Sequence, residues 1–86
     1  VIFSGRSDRT KDVTIDWLDK HKVPFDLLQQ RPEDKHYWPD NKLKQFWLDT
    51  LIDYDDVFAV FDDRQQVVDM WRQNGLPCFQ VADGDF

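Results

Sequence analysis

Residues 57 to 82, "VFAVFDDRQQVVDMWRQNGLPCFQVA", constrain the fold more than any other part of this 86-residue chain. "VFAVF" is a short continuous apolar run, the pattern of a central parallel strand buried on both faces. Val67, Met70 and Trp71 then share one helical face, Gly75 is placed as a left-handed stop, and Pro77 lies beyond it. "CFQVA" supplies a last strand. A strand, a helix and a second strand joined this closely require a parallel pair and a right-handed crossover.

The upstream residues repeat the arrangement. "VIF" at 1 to 3 reads as a first strand, with "SGRSD" as the loop leaving it. From Lys11 to His21, Val13, Trp17 and His21 fall on one helical row and Ile15 and Leu18 on its neighbour, with Asp8, Thr10 and Asp12 as capping or first-turn groups. Pro24 ends that helix, and Phe25, Leu27 and Leu28 predict a second strand over 25 to 29. "RPEDKHYW" shows no period and is expected to be a loop. Pro39 suits a first helical turn, and Leu43, Phe46, Trp47, Thr50, Leu51 and Tyr54 form an amphipathic stripe behind it. The order β-α-β-α-β-α-β predicts an α/β fold: a Rossmann-like parallel sheet in a single domain, residues 1 to 86. The chain opens on apolar Val1-Ile2-Phe3 without a methionine, so a truncated amino end is expected.

Composition removes several classes of function. Seventeen acidic residues against 11 basic ones give a net charge of -6, which leaves no broad basic surface for a phosphate backbone. Any nucleic-acid contact is expected to be local. Cys78 is the single cysteine, so neither an intramolecular disulfide nor a multi-cysteine zinc site can form, and a reducing cytoplasmic setting is expected. No apolar run approaches the roughly 20 residues that cross a bilayer, so no membrane role is expected.

In parallel sheets of this kind ligands bind at the carboxyl ends of strands. Two polar clusters fall there, Ser4-Gly5-Arg6 and Asp62-Asp63, and they can meet in one cleft. Adjacent carboxylates can hold Mg²⁺, which takes one or two carboxylates and keeps several waters. Equally, either acid can cap the helix that begins near Arg64. Ser4, backbone amides and Arg6 can hold a phosphate, or form an ordinary strand-to-helix turn. Lys44 can lean over the cleft as a cation, oriented by Asp40 one helical turn earlier, or both can be solvated. Tyr37 and Trp38 can stack on a base or cover the core. His21 and His36 have no partner at metal-ligand spacing.

The ordered set is more telling than its members: Ser-Gly-Arg after a first strand, a lysine on a later helix, then Asp-Asp after a third strand. It resembles the second, third and fourth motifs of the haloacid-dehalogenase superfamily of phosphohydrolases. "FSGRSDR", "VPFDLLQQRPED", "PDNKLKQFWLDTLI" and "AVFDDRQQVVDMWRQNGLPCFQVADGDF" further resemble the carboxyl part of the 3′-phosphatase domain of phage-type polynucleotide kinase/phosphatase. The resemblance implies a Mg²⁺-dependent phosphomonoesterase acting on 3′-phosphorylated DNA or RNA ends through an aspartyl-phosphate. By the same resemblance, Ser4 holds the transferring phosphoryl group, Arg6 supports the substrate phosphate, and Arg31 contacts the end phosphate. Lys44 neutralises developing charge, Asp40 positions it, Asp63 ligates Mg²⁺ and Asp62 orders the metal site. A phage-infected or bacterial cytoplasm and a partner kinase domain are also implied.

The family's first motif, an Asp-x-Asp-Gly strand end that carries the nucleophile, is absent from these residues. "DYDD" at 53 to 56 imitates it, but no apolar strand precedes it. Tyr37-Trp38 also stands where related enzymes are expected to carry an arginine. In the family fold the first-motif strand lies between the Ser-Gly-Arg strand and the Asp-Asp strand. Its absence predicts an interrupted sheet and a chain that is inactive alone, with self-association, strand swapping or pairing with an upstream segment as ways to fill the gap. The competing expectations are a non-catalytic end-binding module that keeps the metal and phosphate site, and a plain α/β interaction domain whose acids are all caps.

Overall fold

The computed structural model describes residues 1 to 84. Its elements follow the expected order: β1 (Ile2–Ser7), α1 (Lys11–Lys20), β2 (Leu28–Arg31), α2 (Asp40–Leu51), β3 (Val60–Asp62), α3 (Gln65–Gln73) and β4 (Cys78–Gln80). Short 3-10 turns cover Asp8–Thr10, Glu33–Lys35 and Tyr54–Asp56. The strands form two parallel pairs, β1 with β2 and β3 with β4. The residues divide into two compact units, Val1–Trp38 and the part from Pro39 onward. This is a Rossmann-like α/β arrangement with one small parallel sheet in each unit.

In the first unit Ile2 pairs with Leu28, Phe3 with Gln29 and Ser4 with Gln30; Ser7 then pairs with Arg31, so the register shifts between Ser4 and Ser7. The strand therefore runs through the segment expected to be a loop. The pairing partner sets this limit: Arg31 Nε donates to the Gly5 carbonyl at 2.9 Å and holds the irregular segment against β2. The same register starts β2 at Leu28, three residues later than expected, because Ile2 N bonds the carbonyl of Leu27 and Phe25 is left exposed. Only Leu18 of α1 is buried, while Val13 and Trp17 stay exposed. Gln30 of β2 is buried, its amide donating to the Ser7 carbonyl at 2.9 Å and to Thr10 Oγ1 at 3.2 Å.

The second unit holds most of the core. Leu43, Trp47 and Leu48 of α2 are buried, as are Val67, Val68, Met70 and Trp71 of α3 and Leu76 and Cys78 behind them. The buried row of α2 is 43, 44, 47 and 48, so Phe46 and Leu51 of the expected stripe lie at its exposed margin. Tyr54 lies beyond the helix end, where its hydroxyl donates to Asp49 at 2.6 Å. Gly75 has φ +80 and ends α3, a conformation that costs a side-chain-bearing residue about 1 kcal/mol. Val60, Phe61 and Asp62 then pair with Cys78, Phe79 and Gln80. The run expected to be buried on both faces is not: Phe58 is 94% exposed, and Phe61, stacked on Phe79 at 5.3 Å, is 69% exposed. "VFAVF" is sheet-forming only from Val60, and one face of the β3-β4 pair is open. The last two residues of the "GDF" ending lie outside the described residues.

Candidate active site

The second unit brings three of the expected site residues together: Asp40 and Asp62 meet the ammonium group of Lys44. Asp40 opens α2, where a carboxylate complements the helix dipole, and Lys44 stands one turn further on the same face. Lys44 Nζ lies 3.3 Å from Asp40 Oδ2 and 3.3 Å from Asp62 Oδ2, at the end of β3. The three side chains are only 9 to 12% exposed, so Lys44 is a buried bridge between two elements. Such an ammonium can leave water only because two carboxylates meet it.

Asp62 is fixed from three directions. Its Oδ1 accepts the Asp63 amide at 2.8 Å, and its Oδ2 accepts Lys44 and the indole N–H of Trp71, the latter at 3.2 Å. Burial pushes its pKa up, but Lys44, Trp71 and the Asp63 amide outweigh that and hold the carboxyl below the ordinary aspartate range. The capping alternative thus gives way for Asp62: Arg64 is the N-cap residue of α3, and the Asp62 carboxylate turns to Lys44 and Trp71. Asp63 follows with an exposed side chain. Its backbone carbonyl accepts Gln80 Nε2 at 3.0 Å, and that amide also donates to Gln65 Oε1 at 3.1 Å. Arg64 Nη1 lies 3.9 Å from Asp40 Oδ2. Among the described residues no three His, Cys, Asp or Glu side chains form a metal-binding group, so any cation held here leans on one or two carboxylates and water.

Ser4, Arg6 and Arg31 belong to the first unit. Ser4 Oγ accepts the Arg6 amide at 3.2 Å, and Arg6 projects from the irregular part of β1 with an exposed side chain. An extra pair of residues in one strand re-aims a side chain in this way. Arg31 ties the unit together through the Gly5, Lys35 and Trp38 carbonyls. It also lines an open pocket of about 450 Å³ with Ser7, Arg9, Pro32, Glu33 and His36. Sequence reasoning missed Arg64, Trp71 and Gln80. Arg64 is within reach of such reasoning, as the cation directly after the acid pair; Trp71 reads in the sequence only as an apolar residue of α3.

A parallel β-α-β unit with polar groups at its strand end is the kind of fold expected of haloacid-dehalogenase-type phosphohydrolases, the class the motifs resemble. The chain belongs to the family of polynucleotide kinase PNKP phosphatase domains, whose model matches residues 1 to 86. It is similar to a chain in the structure of the Pnkp1/Rnl/Hen1 RNA repair complex, with 41% identity, a TM-score of 0.86, and coverage of 98% of this chain and 27% of that one. A second structure of the Pnkp1/Rnl/Hen1 complex matches with 41% identity and a TM-score of 0.90, covering 98% of this chain and 30% of that one. The 86 residues thus span less than a third of the chains they match.

Proposed function

We propose that this chain is the part of a Mg²⁺-dependent polynucleotide 3′-phosphatase that neutralises and orients the phosphate, and that it works with an aspartate nucleophile supplied from outside these residues. The observation that carries this reading is the Lys44 ammonium held between Asp40 and Asp62 beside an exposed Asp63. Phosphoryl transfer needs charge compensation and alignment more than covalent chemistry from the protein. Lys44, anchored at both sides, offers a cation of fixed position to a developing negative charge. Asp40 holds it from the helix and Asp62 from the strand.

The donor set fits Mg²⁺: hard carboxylate oxygens, with Asp63 exposed so that bound waters can remain. Asp63 would hold the ion, with Asp62 ordering the segment, and the bound ion would supply further charge neutralisation at the phosphate. In the first unit Ser4 and Arg6 would supply a hydroxyl and a guanidinium to a phosphate. The similarity to chains of an RNA repair complex supports a strand-end substrate and partner proteins for this one. No described helix is long and apolar enough to cross a membrane.

The test is release of inorganic phosphate from a 3′-phosphorylated oligonucleotide with Mg²⁺, by the chain alone and mixed with a segment carrying the Asp-x-Asp-Gly motif. Silence alone and activity on mixing, abolished by Asp63→Asn, are expected. Silence in both, with Mg²⁺ still bound, would favour a non-catalytic end-binding module.

A further inference from the structure

Asp62 has one partner that phosphate chemistry does not call for. Trp71 stands nine residues downstream on α3, is 4% exposed, and sends its indole N–H to the same oxygen that Lys44 reaches. A residue serving only as core filler would be simpler as leucine or phenylalanine, because a buried indole N–H must find an acceptor. Here the acceptor is the side chain at the centre of the ionic cluster.

We propose that Trp71 is a positioning residue: its indole N–H fixes the Asp62 carboxylate against Lys44 and so leaves Asp63 as the carboxylate presented to a hard divalent cation. The proposal rests on the metal-dependent reading above. Three features of the geometry support it. The Asp62 carboxylate is held at both oxygens by donors from three segments, Lys44 on α2, Trp71 on α3 and the amide of Asp63. Asp62 is therefore committed to internal bonds, whereas the Asp63 side chain is exposed and its carbonyl is pinned by Gln80. Finally, the indole is a neutral donor. Asp40, Asp62 and Asp63 stand against Lys44 and Arg64, three formal negative charges against two positive ones. A lysine or arginine in place of Trp71 would cancel the remaining negative charge and weaken the attraction for a cation. Tryptophan orients the carboxylate and leaves that charge in place.

The test uses the whole chain in its natural form, as Trp71→Phe, and with benzothienylalanine at position 71, in which sulfur replaces the N–H and the shape is kept. In the natural form Asp62→Asn should shift the Trp71 indole proton resonance and leave those of Trp17 and Trp38 in place; an unmoved Trp71 signal would overturn the contact. Mg²⁺ titration followed through the Asp63 and Arg64 amide signals should show affinity about tenfold weaker in both altered forms, the size expected for one hydrogen bond to a charged group. The benzothienyl form separates this from packing, since it keeps the shape of the ring and gives up only the N–H. Equal Mg²⁺ affinity in the natural and benzothienyl chains would overturn the role of Trp71 while leaving the metal-dependent reading intact. Failure of the natural chain to bind Mg²⁺ at all would overturn that reading and the proposal with it.

Discussion

Each unit carries an ion pair, and the closer pair is the less consequential one. In the first unit Arg9 Nε and Glu33 Oε1 are 2.5 Å apart, with side chains 75% and 62% exposed. In the second, Lys44 is 3.3 Å from each of two carboxylates, and all three side chains are about nine-tenths buried. Water around Arg9 and Glu33 supplies nearly all that the partner does, so separation of the pair costs little. Around Lys44 little water is at hand, and removing the ammonium takes from two buried carboxylates the cation they share. Environment ranks these pairs; distance does not.

That ranking can be broken most sharply at Lys44. Lys44→Met keeps the length of the side chain and removes its charge, and is expected to lower unfolding free energy by about 3 kcal/mol, as for breakage of a buried pair. Denaturant titration checks this. A smaller effect is expected from acid. Because the Asp62 pKa is below its ordinary 3.8, its stabilisation is complete above that value and is lost as pH falls through the lower folded one. Melting temperature should therefore drop in that acid window, and Asp62→Asn should flatten the drop. The smallest effect is expected at the exposed pair. The hydrogen bond from Arg9, then its charge, lowers the Glu33 pKa, yet Arg9→Gln and Glu33→Gln should each leave the melting temperature unchanged. A clear loss there would show that distance had been the better guide.

Much of this was legible in the sequence where local chemistry decides. Gly75 and Pro77 mark the end of α3, Pro39 marks the start of α2, and the strand and helix order follows from the alternation of apolar runs with helical spacing. Strand limits were less legible, because pairing sets them: β1 extends through Gly5 only when Arg31 is beside it. The sequence offers Lys44 as a cation that can lean over a cleft, not as a buried one, since a hydrophobic pattern scores lysine as a solvent-facing break. Its burial depends on Asp62, 18 residues away. For the same reason Trp71 read as core, its N–H being invisible to a count of apolar positions.

The left-handed turn at Gly75 also acts as a length gauge that constrains how this sequence can change over generations. From that turn the chain needs only Leu76 and Pro77 before Cys78 pairs with Val60, which brings Gln80 opposite Asp62 and its amide to the Asp63 carbonyl. One residue gained or lost between Gly75 and Gln80 would turn every following β4 side chain to the other face and put Phe79 or Val81 where the amide is needed. Substitutions in the turn can be tolerated one by one, but insertions and deletions cannot, so in descendants of this sequence the spacing should outlast the residues that fill it.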